Sequence, residues 1–330
     1  MQNQVCKVLA MAVLTTGLSV AAGAQSVKTL ISLPNAPLAL SANPVTNKIY
    51  VVVPTNGAET TDNLTVIDGK TDTTLQDIAV PAGASYVAVD YLANRVYVAG
   101  CNFFQVPAPC TVTTINGKTN AVVNTIAVTS TPGFGLTGIA VSPLTGLVYV
   151  ANGSDNVVNI IDGCKGKLAG TISLNGNSPF AIAINPILNR LYVPYGTNLT
   201  AVIDAGKKKI LSTTDFGTTT VGAAANIVSG HVFVNDAEFG PSATGVLDQN
   251  GKLLATIPVD DSPLGVDVDP VTNLAFVASS ALDDVTVIDG KTNTVKTTVF
   301  NVPANYVAVN FVSQKVYVSG RTGVTVLTEK

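Results

Sequence analysis

The residues of this sequence best suited to chemistry are carboxylates standing in close pairs. Asp236 with Glu238, Asp260 with Asp261, and Asp283 with Asp284 lie in polar stretches between apolar runs. Hard oxygen donors converging from several loops suit Ca²⁺, and crowded like charges favour a cation. None of the pairs matches a regular calcium loop, so solvated loop charges are the competing reading. Asp68, Asp162, Asp204, Asp248 and Asp289 each follow an aliphatic pair and precede a turn, where a carboxylate can accept hydrogen bonds from the turn backbone. His231 is the sole histidine, which leaves no His-rich zinc site and no serine–histidine relay.

The elements that must position these groups are strands. An aromatic-Val pair recurs at Tyr50, Tyr97, Tyr149, Tyr192, Phe233, Phe276 and Tyr317, about 44 residues apart, the length of a four-stranded propeller blade. Within each unit the apolar residues alternate with period 2, as in Val87 and Val89 or Ile182 and Ile184, and the intervening turns are rich in Asn, Gly, Pro and Asp. The seventh unit stops after its third strand, residues 324–327, while an orphan strand, residues 27–33, precedes the first unit. The expected fold is therefore all-β: a seven-bladed propeller of four-stranded blades, the last blade closed by the N-terminal strand, which removes long unpaired edges.

Composition agrees with a packed chain: of 330 residues 47% are hydrophobic and 12% charged, which argues against disorder. The net charge of −3 lacks the footprint of a duplex-binding protein, and the lysines are not interleaved with aromatics as single-strand binding would need. Lys7 precedes an apolar stretch, residues 8–22, and then Ala22-Gly23-Ala24, which reads as a secretory signal peptide over residues 1–24. The expected mature chain is one domain, residues 25–330, periplasmic or secreted, monomeric, with no membrane span. In that compartment Cys101 and Cys110, which bracket an insertion, are expected to form a disulfide with Cα atoms roughly 4.4–6.8 Å apart; the alternative is two buried thiols. The odd count leaves Cys164 as a lone bystander thiol.

The repeats Asn43-Pro-Val-Thr-Asn-Lys-Ile-Tyr-Val, Ser142-Pro-Leu-Thr-Gly-Leu-Val-Tyr-Val and Asn185-Pro-Ile-Leu-Asn-Arg-Leu-Tyr-Val, with the Val-Ile-Asp-Gly-Lys-Thr endings, resemble those of the YVTN-repeat β-propellers, a group of secreted and cell-surface bacterial and archaeal proteins. The resemblance covers nearly all of the expected mature chain and implies the fold. It implies no single chemistry, because one fold hosts many functions.

In a propeller of this register, lysines and arginines such as Lys48, Arg95, Arg190 and Lys315 gather on one face. Glu59, Asp62, Asp155, Asp215 and the three acidic pairs gather on the other, with Arg321 almost alone against them. Insertions around Glu59, Phe103-Phe104 and Phe239 fall on the acidic face as well. The expected function is an exported, non-catalytic binding or scaffold propeller of the cell envelope. Its ligand would lie at Asp236, Glu238, Asp260, Asp261, Asp283 and Asp284, and would be an envelope protein, a peptide, a polysaccharide or Ca²⁺. Related propellers include sugar lactonases and metal-assisted lyases, which makes a hydrolase or lyase of small sugar acids or lactones the alternative. The entries to the first strands, at Tyr86, Phe180, Leu264 and Tyr306, offer aromatics without a paired base and nucleophile.

Overall fold

The computed structural model describes residues 26–55, 60–103, 109–129, 131, 133–236 and 242–329. The expected signal peptide lies outside the described residues, as do Glu59, Phe104, Glu238 and Phe239. The described chain forms seven four-stranded antiparallel sheets. Their innermost strands, Leu40–Asn43, Ala84–Asp90, Leu136–Ser142, Ala183–Asn185, Thr220–Ala225, Pro263–Val268 and Tyr306–Asn310, each contact the next in sequence, and the last returns to the first. The molecule is a closed seven-bladed propeller.

Burial follows position within the blade. Second and third strands, such as Lys48–Val53 and Leu199–Asp204, are buried on both faces because a neighbouring blade covers each side; hence their near-continuous Val, Ile and Tyr content. Outermost strands, such as Thr73–Pro81, bury only alternate residues near one end. The core accordingly lies between blades: Tyr50, Leu64 and Val66 of blade 1 pack with Val87, Val89 and Val96 of blade 2.

The ring closes as the orphan strand requires. Ser26–Ser32 runs antiparallel to Gly323–Thr328, with Val27 opposite Leu327 and Ile31 opposite Val324. Inside this seam Ile31, Val324, Val326 and Tyr317 pack against Ile49, Val51 and Ile67 of blade 1.

Every outermost strand carries one extra residue at the same register position, as between Val66 and Ile67 of blade 1 or Val287 and Ile288 of blade 6. A bulge there adds twist to the edge strand and turns it from further pairing. The turn carboxylates play the part expected of them. Asp68 Oδ1 accepts from Lys70 N at 2.7 Å, Asp289 Oδ1 from Lys291 N at 2.8 Å, and Asn116 Oδ1 from Lys118 N at 2.9 Å.

Cys101 and Cys110 are directly opposed across the second and third strands of blade 2, with their sulfurs joined at 2.03 Å and their Cα atoms 3.9 Å apart. That separation is shorter than the expected range. The neighbouring pair carries the hydrogen bond, from Asn102 N to Pro109 O, which puts the cysteines at a close, non-hydrogen-bonded pair. Cys164 does not remain the lone thiol expected of it, since no described cysteine is free.

Candidate functional site

The basic face is largely structural. Lys48 Nζ donates to Gly117 O at 3.0 Å, Arg190 Nη1 to Gln249 O at 2.6 Å and Lys315 Nζ to Gly69 O at 2.6 Å, and Arg95 reaches Gly163 O likewise. Each of these cations thus caps the turn after the third strand of the following blade. The anchor tyrosine assists: Tyr192 Oη donates to Gln249 O and Tyr317 Oη to Asp72 Oδ1. The sequence places these cations together on one face; in the structure their role is a staple between blades. His231 occupies it in blade 5, and its Nδ1 is buried without a partner.

At the closing seam the staple becomes an ion cluster. Asp72 meets Lys28 and Lys315, its own side chain only 3% exposed. Burial would push the Asp72 carboxyl up, but the hydrogen bonds from Lys28, Lys315 and Tyr317 outweigh it and hold the group below the ordinary range.

On the acidic face most carboxylates already have partners. Asp62 accepts from Thr55 N, Gly83 N and Ala84 N at 2.7–3.0 Å. Asp236 Oδ1 accepts from Ala243 N at 3.0 Å, and Asp283 is ion-paired with Arg321. Asp261 is exposed, and Glu238 lies outside the described residues. Asp284 differs from all of these. It is completely buried rather than on a solvent-facing loop, and the Ser279 hydroxyl is the one donor near its oxygens, with no cation or backbone N–H bonded to them. The Asp260 carboxyl lies against it from the loop between blades 5 and 6. Burial first, and then the Asp260 carboxyl, push Asp284 up to about 7. The structure therefore brings Asp260 and Asp284 together and sets Asp283 and Arg321 beside them, while Asp236 is satisfied within its own blade. Among the described residues no three His, Cys, Asp or Glu side chains converge as a metal centre would need.

Blade 6 holds a second acid pair. Where Asn43, Asn226 and Asn310 donate a side-chain N–H to an asparagine of the next blade, blade 6 has Asp269, which cannot donate and leaves Oδ2 without a partner. Glu329 from the end of blade 7 meets it, and burial followed by Asp269 raises the Glu329 carboxyl to about 8.

A channel runs through the ring. Its mouth on the acidic face is a cavity of about 320 Å³ bordered by Tyr86, Phe180, Leu264 and Tyr306. The Tyr86 and Tyr306 hydroxyls are in contact, and burial, as the leading cause, raises both phenols. Shared wall residues such as Val87, Ile139 and Val266 connect this mouth to a middle section, and Val89, Ile184 and Asp267 connect that section to the opposite mouth. The opposite mouth, about 210 Å³, is bordered by prolines, Tyr91 and Phe311. Asp267 is the one charged side chain in these linings. Burial pushes it up to about 6, against the lowering effect of the Val309 and Val268 N–H groups. Asp267, Asp269 and Glu329 were not singled out from the sequence, although an aspartate in the small-residue stretch Gly265-Val-Asp-Val was visible there.

Two curated relatives, both called uncharacterized protein YncE, from Salmonella typhi and Salmonella typhimurium, are 30% identical over 187 residues, 53% of this chain and 51% of theirs. The chain spans about half the length of the curated relatives it matches. No family model matches. A solved chain of Kuenenia stuttgartiensis hydrazine synthase superposes with a TM-score of 0.73 at 15% identity, covering 90% of this chain and 97% of that one. That likeness shows the architecture, all-β and seven-bladed, and no more.

Proposed function

We propose that this chain is a YncE-like, YVTN-type propeller, exported to the cell envelope, that binds a cationic partner on its acidic face without transforming it. The observation that carries this reading is the coincidence on one face of the aromatic mouth and the unmatched Asp260–Asp284 pair. Leu264 of the mouth follows Asp260 by four residues, so one loop from blade 5 to blade 6 supplies both. A lysine or arginine side chain of an envelope protein or peptide gives the pair the counter-charge it lacks, and its alkyl stem packs on Tyr86, Phe180 and Tyr306. Ca²⁺ is the weaker candidate at these carboxylates, because among the described residues no third ligating side chain joins the pair.

Calorimetric titration of residues 25–330 with a short lysine-rich peptide, and separately with CaCl₂, tests the proposal. Saturable binding is expected, with at least tenfold loss in Asp260→Asn and a severalfold loss in Phe180→Ala. Binding that leaves both variants unaffected, or no binding to either probe, refutes it.

A further inference from the structure

Asp267 occupies a place that the repeat reserves for a small side chain. Opposite the anchor aromatic of the second strand, the other six blades carry Ser41, Ala88, Ala140, Ala183, Ala224 and Ala308; Asp267 faces Phe276 in the same register. A carboxylate in an apolar wall is expensive unless it is bonded and paired. Two donors hold it, Val309 N to Oδ2 and Val268 N to Oδ1, each at 2.8 Å. Neither brings charge, and among the described residues no Lys, Arg or His forms an ion pair with it. Lys48, Arg190 and Lys315 of the same face are turned instead to the turns of following blades.

The adjoining mouth has a matching peculiarity. Four blades place a proline there, Pro44, Pro143, Pro186 and Pro270, whereas blades 2 and 7 place Tyr91 and Phe311. Phe311 comes from the blade whose Val309 binds Asp267, so an aromatic ring and the carboxylate belong to one seam.

We infer that this mouth, on the face opposite the acidic rim, binds a compact organic cation, a substituted ammonium whose charge meets Asp267 and whose alkyl groups meet Tyr91 and Phe311. Aromatic rings beside a carboxylate are the groups that recognise such ions. A divalent metal is a poor fit, because it asks for six or more oxygen ligands and this wall supplies one carboxylate. The volume is below that of a drug-sized pocket, which restricts the ligand to a small ammonium. The inference is independent of the proposed function, since the two sites share no residue.

Tetramethylammonium and butylammonium chloride, titrated into the full chain by calorimetry with KCl and tert-butanol as controls, decide the matter. The ammonium ions are expected to saturate a site that Asp260→Asn leaves intact, at least tenfold more tightly than K⁺ or tert-butanol. Asp267→Ala restores the residue that most blades carry there and should keep the fold, yet lose affinity at least tenfold; Lys252→Ala, on an exposed turn, should bind as the parent does. Should Asp267→Ala fail to fold, Tyr91→Ala and Phe311→Ala carry the test, each with a severalfold loss expected. The inference is overturned by no saturable binding in the parent, by equal affinity for K⁺ or tert-butanol, or by a folded Asp267→Ala or both aromatic variants binding like the parent.

Discussion

At the scale of single residues, perturbed carboxyls respond to pH in opposite senses. Asp72 is held below its ordinary range by Lys28, Lys315 and Tyr317, so the unfolded chain binds its proton more readily. Its contribution is present above about pH 4 and is lost as the pH falls further. Asp284 and Glu329 are raised, to about 7 and about 8, so the folded chain holds these protons more tightly. Their contribution is largest near pH 4 and declines as the pH climbs through 7 and 8. Urea unfolding should therefore show stability falling between pH 5 and pH 8. In Asp284→Asn that fall should shrink, with a gain of about 1–3 kcal/mol at pH 8, because an amide both removes a buried charge and donates to Asp260. A profile that is flat from pH 5 to pH 8 in the parent would contradict this account. Lys315→Met, by contrast, takes one of two cations from a buried carboxylate. A loss of about 2–3 kcal/mol at pH 7 is expected, less than the roughly 3–5 for an unpaired buried charge because Lys28 remains.

At the scale of strands and turns, what could be read in the sequence depended on whether the cause was local. The Val-Ile-Asp turns were legible because Asp68 and Asp289 bond to N–H groups only two residues on. The strands were legible because the aromatic-Val unit recurs in every blade; burial alternates with period 2 in inner and outer strands such as Thr220–Ala225 and Lys209–Asp215, whereas the second and third strands are buried on both faces. The bulges of the outermost strands were not, since an extra residue such as Leu75 has meaning only against its partner strand. Nor was the staple role of Lys48 or Arg190, whose acceptors lie 69 and 59 residues away. The acidic rim was legible as composition, but not the split between Asp236, bonded to Ala243 N, and Asp284, set against the Asp260 carboxyl; both are buried, and the difference lies in partners brought in by the fold. The disulfide belongs to this scale as well. It closes a short loop between two already paired strands, so Cys101→Ser with Cys110→Ser should cost about 2–3 kcal/mol by the chain-entropy estimate. Chemical denaturation of parent and variant, both unreduced, measures the difference.

At the scale of the whole molecule, stability depends on one non-local contact. The other six blades fold from contiguous chain, whereas blade 7 joins Ser26–Ser32 to Gly323–Thr328 across the full length of the described sequence. The seam is held by the ladder itself, by Ile31 within the cluster that spans blades 7 and 1, and by Lys28 on Asp72. Lys28 is 43% exposed and lies at the strand's extra residue, so Lys28→Ala should cost less than 1 kcal/mol, as exposed ion pairs do. Removing residues 26–32 is a different perturbation. It bares the edge of Gly323–Thr328, uncovers the wall formed by Val324, Val326 and Ile49, and leaves Asp72 with a single cation. An open apolar edge recruits another strand, so the truncated chain should elute as dimers or larger species in size-exclusion chromatography and melt at least 10 °C lower. Adding a synthetic peptide of residues 26–32 should restore the monomer and part of the melting temperature, because a segment that binds only the folded ring stabilises it by mass action. A truncated chain that stays monomeric and melts with the parent would show that the ring holds without its clasp, and would move the source of stability to the six contiguous blades.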